Sequence, residues 1–187
     1  QIWKGNKSMT MEEAIHSVRG ADRGALEQAL SHWDRVAKPL NSLGVLEEDI
    51  VRIAGASGSH HISIDKKAIV VMCADNGIVE EGVTQTGQEG TAIVAGNMGK
   101  GCSCVCLMAE KAGAKVIPVD VGMNCCGEIP GVIPEKVSMG TKNFLREPAM
   151  SREQTVMAME AGIRIAEGLK SRGYNLAGSG EMGIGNT

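Results

Sequence analysis

Residues 68–73, Ala-Ile-Val-Val-Met-Cys, form a continuous apolar run that ends in Ala74-Asp75-Asn76-Gly77. An apolar run this short, without polar alternation, suits a strand covered on both faces, the position of a central strand in a parallel sheet. Two further runs, 115–121 and 175–178, repeat the pattern. Helical segments are expected at 88–98 and 102–112, and a short strand near 136–139. Ser151-Arg152-Glu153-Gln154 reads as a capping box opening a long helix, with Val156, Met159, Ile163 and Ala166 turned inward and Gly173 as its stop. Strand, helix, strand, helix, strand with short turns implies right-handed crossovers in an open α/β sheet.

Three amphipathic helices precede the first strand. Thr10-Met11-Glu12-Glu13 reads as a capping box for the first, over 10–18. The second, over 22–37, carries Leu26, Ala29, Leu30, Trp33, Val36 and Ala37 on one stripe and stops at Pro39. The third, over 46–54, turns Leu46, Ile50, Ile53 and Ala54 inward. The expected organisation is an upstream segment over 1–9, with Met9-Thr10 as a natural start, a helical segment over 10–67, and an α/β domain over 68–187. The fold class is therefore α/β, an open, mainly parallel Rossmann-like sheet with an N-terminal helical subdomain.

Composition narrows the partners. A net charge of −3 supplies no basic patch for nucleic acid or anionic lipid, and the four aromatic residues leave none to spare for base stacking. No apolar run approaches the roughly 18 residues of a membrane span, and the first nine residues lack the apolar core of a secretory signal. The expectation is a soluble cytoplasmic protein that binds neither nucleic acid nor membrane. The six cysteines include Cys102, Cys104 and Cys106 at alternate positions and the adjacent pair Cys125-Cys126. On a helix, positions two apart face away from each other, and the common zinc spacings are missing. They are read as small buried apolar residues, with no metal and no cofactor, and His60-His61 as a solvated loop.

Two constellations carry chemistry. Gly178-Ser179-Gly180-Glu181-Met182-Gly183 follows the last strand with the spacing of a phosphate turn, where glycines let the backbone close on an anion. A carboxylate inside such a turn would repel a pyrophosphate, so Glu181 suits a ribose hydroxyl or a cationic ring. The second is residues 73–77, Cys-Ala-Asp-Asn-Gly, followed by residues 80–84, Glu-Glu-Gly-Val-Thr, at the carboxyl end of the first strand. In open α/β sheets ligands bind at that edge, so both loops should border one cleft.

At these residues the sequence resembles the nicotinate-nucleotide:dimethylbenzimidazole phosphoribosyltransferases. The matching stretches are Lys38-Pro39, Ser42-Leu43-Gly44, Leu46-Glu47, residues 71–77, Glu81-Gly82-Val83, Thr91-Ala92, Asp120-Val121-Gly122, Pro148-Ala149-Met150-Ser151 and the closing octet 180–187, Gly-Glu-Met-Gly-Ile-Gly-Asn-Thr. Asn76 departs from the family's usual Asp-His-Gly turn, Leu40-Asn41 from its Pro-Gly, and Val94 stands where some members place Gln. The resemblance implies transfer of 5-phosphoribosyl from nicotinate mononucleotide to a benzimidazole-type base, in a homodimer. It implies that Glu181 is a supporting carboxylate beside the nucleotide, and that Gly180, Gly183, Gly185, Asn186 and Thr187 form the phosphate and ribose cradle. Asp75, Thr86 and Val94 would line the base pocket. Family members continue well beyond the closing octet, and their general base lies near the far C-terminus. Three other readings stay open: a paralogue that ribosylates another base, a non-catalytic nucleotide-binding half-chain, and a nicotinamide-dinucleotide dehydrogenase. The last is disfavoured by Glu181 and by the late place of the glycine motif.

Overall fold

The computed structural model describes residues 8–187. They divide into a helical unit, Ile15–Ile64, and a sheet unit made of Asp65–Thr187 with the described residues up to Ala14. Of the upstream segment over 1–9, residues 1–7 lie outside the described residues; Ser8 donates from Oγ to Glu167 Oε2 at 2.8 Å.

Helix α1 (Met11–Ser17) opens on the expected capping box: Thr10 N–H donates to Glu13 Oε2 and Glu13 N–H to Thr10 Oγ1. In the helical unit, α2 (Arg23–Arg35) is capped by the Asp22 carboxylate, which accepts the Ala25 N–H at 2.8 Å. Helix α3 (Val45–Ser57) packs on it through Ala29, Val51 and Ala54, with Leu26, Trp33 and Ile62 beside them. The buried stripe of α3 is Glu47, Val51, Ala54 and Gly55, one residue round from the expected one, and Leu46 and Ile53 face out. On α2 it is Ala25 and Ala29, while Leu30 and Val36 are exposed. Close helix approach favours small residues: a Cβ on Gly55 would sit 2.8 Å from Leu26.

Glu47 is buried because Lys38 pairs with it at 2.8 Å and Leu43 N–H donates to the same carboxylate. The Lys38 hydrogen bond, helped by the Leu43 N–H, holds the Glu47 carboxyl below the usual carboxylate range. A carboxylate lowered on folding stabilises above its unfolded pKa, and that contribution is lost as pH falls through the folded value. Helical-unit unfolding followed by Trp33 fluorescence should therefore move to lower denaturant below about pH 4.5. In Lys38→Met this acid sensitivity should shrink; an unchanged acid limb would contradict the pairing.

The sheet unit holds four parallel strands in the order β3-β2-β1-β4. The central strand β1 (Lys67–Ala74) pairs with β2 (Ala114–Gly122) from Lys67↔Ala114 to Ala74↔Gly122, with a register shift after Cys73. On its other side it pairs with β4 (Leu176–Met182) from Lys67↔Leu176 to Cys73↔Met182. Alternation along β1 splits the core in two. Ile69, Val71 and Cys73 meet α4 (Glu89–Gly99) and α5 (Cys104–Lys111) through Ala95, Met98 and Cys106. Ala68, Val70 and Met72 meet α6 (Arg152–Ser171) through Ile165 and Leu169. The Ser151–Gln154 capping box that starts α6 is present in both directions.

Four expectations are corrected. Strand β3 is Ile133–Pro134, not 136–139, because Lys136 turns its amine inward to Asp120 Oδ2 and to the carbonyls of Met123 and Cys125. The buried face of α6 is Ala161, Ile165 and Leu169. The stripe through Val156, Met159, Ile163 and Ala166 lies about two residues round, roughly the opposite face, and Met159 is 51% exposed. Strand β4 runs on to Met182 and is exposed over Leu176–Ser179, because among the described residues it has a neighbour on one side only. Finally, Glu89–Lys111, at 23 residues, is long and apolar enough by composition to cross a membrane. It is broken after Gly99, and α4 gives Thr91, Ala95 and Met98 to the core of the sheet unit.

Candidate functional site

The carboxyl ends of β1, β2 and β4 lie side by side, and the chain leaves each of them into a loop. After β4 comes a turn over residues 183–187, and it is tied down from both sides. Asn76 Nδ2, just past β1, donates to the Ile184 carbonyl at 3.2 Å. The Ile184 N–H donates to Oγ1 of Thr91, a fully buried residue on α4, at 3.1 Å. The approach is close enough to exclude any side chain at Gly183, where a Cβ would lie 2.1 Å from the Ala74 carbonyl oxygen. Gly185 adopts φ +86°, which favours glycine, and a Cβ there would meet Val79 at 2.8 Å.

Glu181 occupies the penultimate position of β4, paired with Met72, and is exposed. Asn186 donates from Nδ2 to Glu181 Oε1, and Thr187 Oγ1 donates to Asn186 Oδ1 at 2.9 Å. Glu181, Gly183, Gly185, Asn186 and Thr187 are thus gathered at one turn. The turn begins only at Gly183, since Gly178, Gly180 and Glu181 are all in strand register with β1. Gly178-x-Gly180 therefore lies within the sheet, with Gly180 opposite Val71, and Gly180 stands apart from the turn 183–187.

After β1, Gly77–Glu81 forms a 3-10 turn. It is held by Gly77 N–H donating to Thr141 Oγ1 at 3.1 Å, and by buried Asn143, whose Nδ2 donates to Glu81 Oε1. Arg146 binds Glu81 at 2.9 Å and Glu80 at 3.3 Å. Asp75 is 2% exposed. Its Oδ2 accepts the Asn124 N–H at 2.7 Å, its own N–H donates to Gly122 O, and its carbonyl accepts from Thr141 N–H. Its Oδ1 has no hydrogen-bond partner among the described residues. Asp75 thus fastens the loops after β1 and β2 and is walled off from the surface.

Thr86 is exposed on the loop before α4, its N–H donating to Thr84 Oγ1 at 3.1 Å. Val94 packs half-buried against the Val71, Cys73 and Met98 cluster. Of the three expected pocket residues, Asp75 is buried between the loops, Val94 packs half-buried against the core cluster, and Thr86 alone is open to solvent. Sequence reading passed over Thr91, Gln88 and Asn124 as site residues; Thr91-Ala92 is visible only as a matching stretch, and Asn76 only as a member of the 73–77 constellation without an assigned role. The loops 75–86 and 181–187 do border one edge, as their place after parallel strands requires. A cavity of about 310 Å³ lined by Glu135, Lys136, Glu160 and Arg164 belongs to the other side of the sheet, beside β3.

The cysteines also depart from expectation. Cys73 is buried, Cys106 and Cys125 are half-buried, and Cys102, Cys104 and Cys126 are exposed. Among the described residues no group of three or more metal-binding side chains converges. Burial, reinforced by the negative charges of Asp120, Glu181 and Asp75 and opposed by a backbone hydrogen bond at Val119, pushes the Cys73 thiol up to about 12. The folded chain therefore keeps a proton that the unfolded chain releases from about pH 9 upward, so stability should fall as pH rises from about 9 towards 12. Iodoacetamide at pH 8 should label Cys102, Cys104 and Cys126 in the native protein and leave Cys73 unmodified by peptide mass mapping. Labelling of Cys73 as fast as Cys126 would contradict this burial.

An open parallel sheet with two loops meeting at its carboxyl edge places this chain among the α/β proteins, which bind ligands at that edge. The comparisons sharpen that class: the phosphoribosyltransferase model DBI_PRT matches residues 18–187, and the chain belongs to that family. A nicotinate-nucleotide–dimethylbenzimidazole phosphoribosyltransferase of Ruminiclostridium cellulolyticum is 42% identical over 179 residues, 96% of this chain and 51% of the relative. One from Geobacter metallireducens is 44% identical, over 95% of this chain and 50% of its own length. The crystal structure of CobT from Thermus thermophilus superposes with a TM-score of 0.80 at 35% identity, covering 87% of this chain and 49% of that one. The chain spans about half the length of the curated relatives it matches.

Proposed function

We propose that this chain forms the nucleotide-side half of a phosphoribosyltransferase that moves 5-phosphoribosyl from nicotinate mononucleotide to 5,6-dimethylbenzimidazole or a related base. The product would be an α-ribotide of the kind used as a cobamide lower ligand. The observation that carries the reading is the turn 183–187, pinned between Asn76 and Thr91 with the Glu181 carboxylate beside it. The names of the relatives support the same substrates.

The chemistry fits such an edge. The base nitrogen attacks the ribosyl carbon, the bond to the pyridinium nitrogen breaks, and its electron pair returns to the departing ring. Nicotinate leaves with a neutral ring nitrogen, so little acid assistance is needed. The ribosyl carbon gains positive charge in flight, and a fixed carboxylate such as Glu181 stabilises it. Backbone N–H groups of the turn and the Thr187 hydroxyl would hold phosphate and ribose. The incoming imidazole must lose its N–H proton to a carboxylate base, a role we assign to a residue outside this segment.

A cytoplasmic homodimer is part of the proposal. Its association is supported by apolar side chains left exposed on α4 and α5, among them Ile93, Leu107 and Met108. The test is calorimetry with nicotinate mononucleotide beside a transfer assay, on this segment and on the full natural chain carrying it. The expected result is transfer by the full chain and none by the segment alone. Transfer by the 187 residues alone would place the base within them, and a full chain that binds no nucleotide would overturn the reading.

A further inference from the structure

A ring of polar contacts joins the two loops of the candidate site, and Asn76 stands at its centre. Its side-chain Nδ2 donates to Ile184 O at 3.2 Å, while its main-chain carbonyl accepts from Gln88 Nε2 at 3.0 Å. Gln88 Oε1 accepts from Asn124 Nδ2 at 3.3 Å, and Asn124 N–H returns to Asp75 Oδ2 at 2.7 Å. Gln88 directly precedes α4, where a polar side chain would ordinarily cap the helix, yet it makes no capping bond. Its amide is spent on Asn76 and Asn124 instead. On the far side, the space that a Gly183 Cβ would need is taken by the Asn76 amide, at 2.9 Å. A shift of the 183–187 turn that keeps the Asn76–Ile184 bond moves Asn76 with it, and a shift of Asn76 pulls on Gln88 and the Thr84–Thr86 loop before it.

We infer that Asn76 is a positioning residue that couples the two substrate sites, so that nucleotide seated on the 183–187 turn tightens the base site carried by the loop leading to Gln88. This rests on the proposed function for which substrate meets which loop. Neither substrate need touch Asn76. Its main-chain carbonyl and side-chain amide are held at opposite ends of a short rigid path, and both partners lie on segments that follow strand ends. Coupling through such a path is reciprocal: the base raises affinity for the nucleotide by the same factor. A residue that only stabilises the fold would weaken both ligands and leave that factor alone.

The experiment is calorimetric titration of the full natural chain with nicotinate mononucleotide, with and without saturating 5,6-dimethylindole, a ring analogue that lacks the nucleophilic nitrogen. The wild type should bind nucleotide at least about 5-fold more tightly when the analogue is present, the lower end of usual coupling factors. Asn76→Asp, which keeps the shape and loses the donor, should bring the ratio to about one, and so should Gln88→Ala, which cuts the other link. Should Asn76→Asp melt early, Gln88→Ala decides alone. A ratio unchanged in the folded variants, or already about one in the wild type, overturns the coupling while leaving the proposed function standing. Absence of nucleotide binding to the wild type overturns both.

Discussion

Replacing Gly183 with alanine is expected to destabilise the sheet unit by about 3 kcal/mol, the upper end of ordinary overpacking costs. For a chain of this size that is a fall of roughly 6–12 °C in Tm. The new Cβ would stand 2.1 Å from the Ala74 carbonyl oxygen and 2.9 Å from Asn76 Nδ2. The first of these neighbours is backbone, paired within the central strand, and cannot swing away. The turn must therefore lift, breaking the Asn76–Ile184 or Ile184–Thr91 bond, and nucleotide binding should be lost with the stability. Differential scanning calorimetry with a nucleotide titration checks both. A Gly183→Ala protein that melts and binds like the wild type would show that the turn does not approach β1 so closely. Gly178→Ala is the control, because its Cβ would meet nothing closer than 4.0 Å.

The second large effect concerns chemistry rather than folding. In the full natural chain, Glu181→Gln should lower kcat by about 10²- to 10³-fold, the scale of a lost electrostatic stabiliser. Because the interaction strengthens only as the ribosyl carbon becomes cationic, kcat and kcat/KM should fall together with KM little changed. Glu181 is exposed at the end of β4, so the variant should keep its melting temperature. An unchanged kcat would remove Glu181 from the mechanism, and a raised KM alone would make it a binding residue.

Much of this architecture was legible because parallel strands leave an unmistakable mark. The 68–73 run could hardly be anything but a strand covered on both faces, and β1 is the central strand. Capping boxes at Thr10 and Ser151 read true because their chemistry is local. Helix faces read less well. Helix α6 carries apolar residues on two sides, and only tertiary packing against Ala68, Ile117 and Val119 selects Ala161, Ile165 and Leu169. The glycine motif misled for a related reason: its spacing suits a turn, but pairing with β1 draws Gly178 through Met182 into the sheet. Asp75 is a further case. A carboxylate at a strand end suggests a ligand, and only the Asn124 N–H across 49 residues of chain reveals it as a fastener between loops. Asn76 and Gln88 act through partners 108 and 12 residues away, which no local pattern encodes.

The central claim, that nucleotide seats on the turn between Asn76 and Thr91, is tested most directly by backbone amide NMR during titration of the full natural chain with nicotinate mononucleotide. Saturable shifts should appear first at Gly183, Gly185, Asn186 and Thr187, with Thr91 and Gln88 following through their contacts. Shifts confined to Glu135, Lys136, Glu160 and Arg164, around the cavity beside β3, or no saturable shift at all, would contradict it.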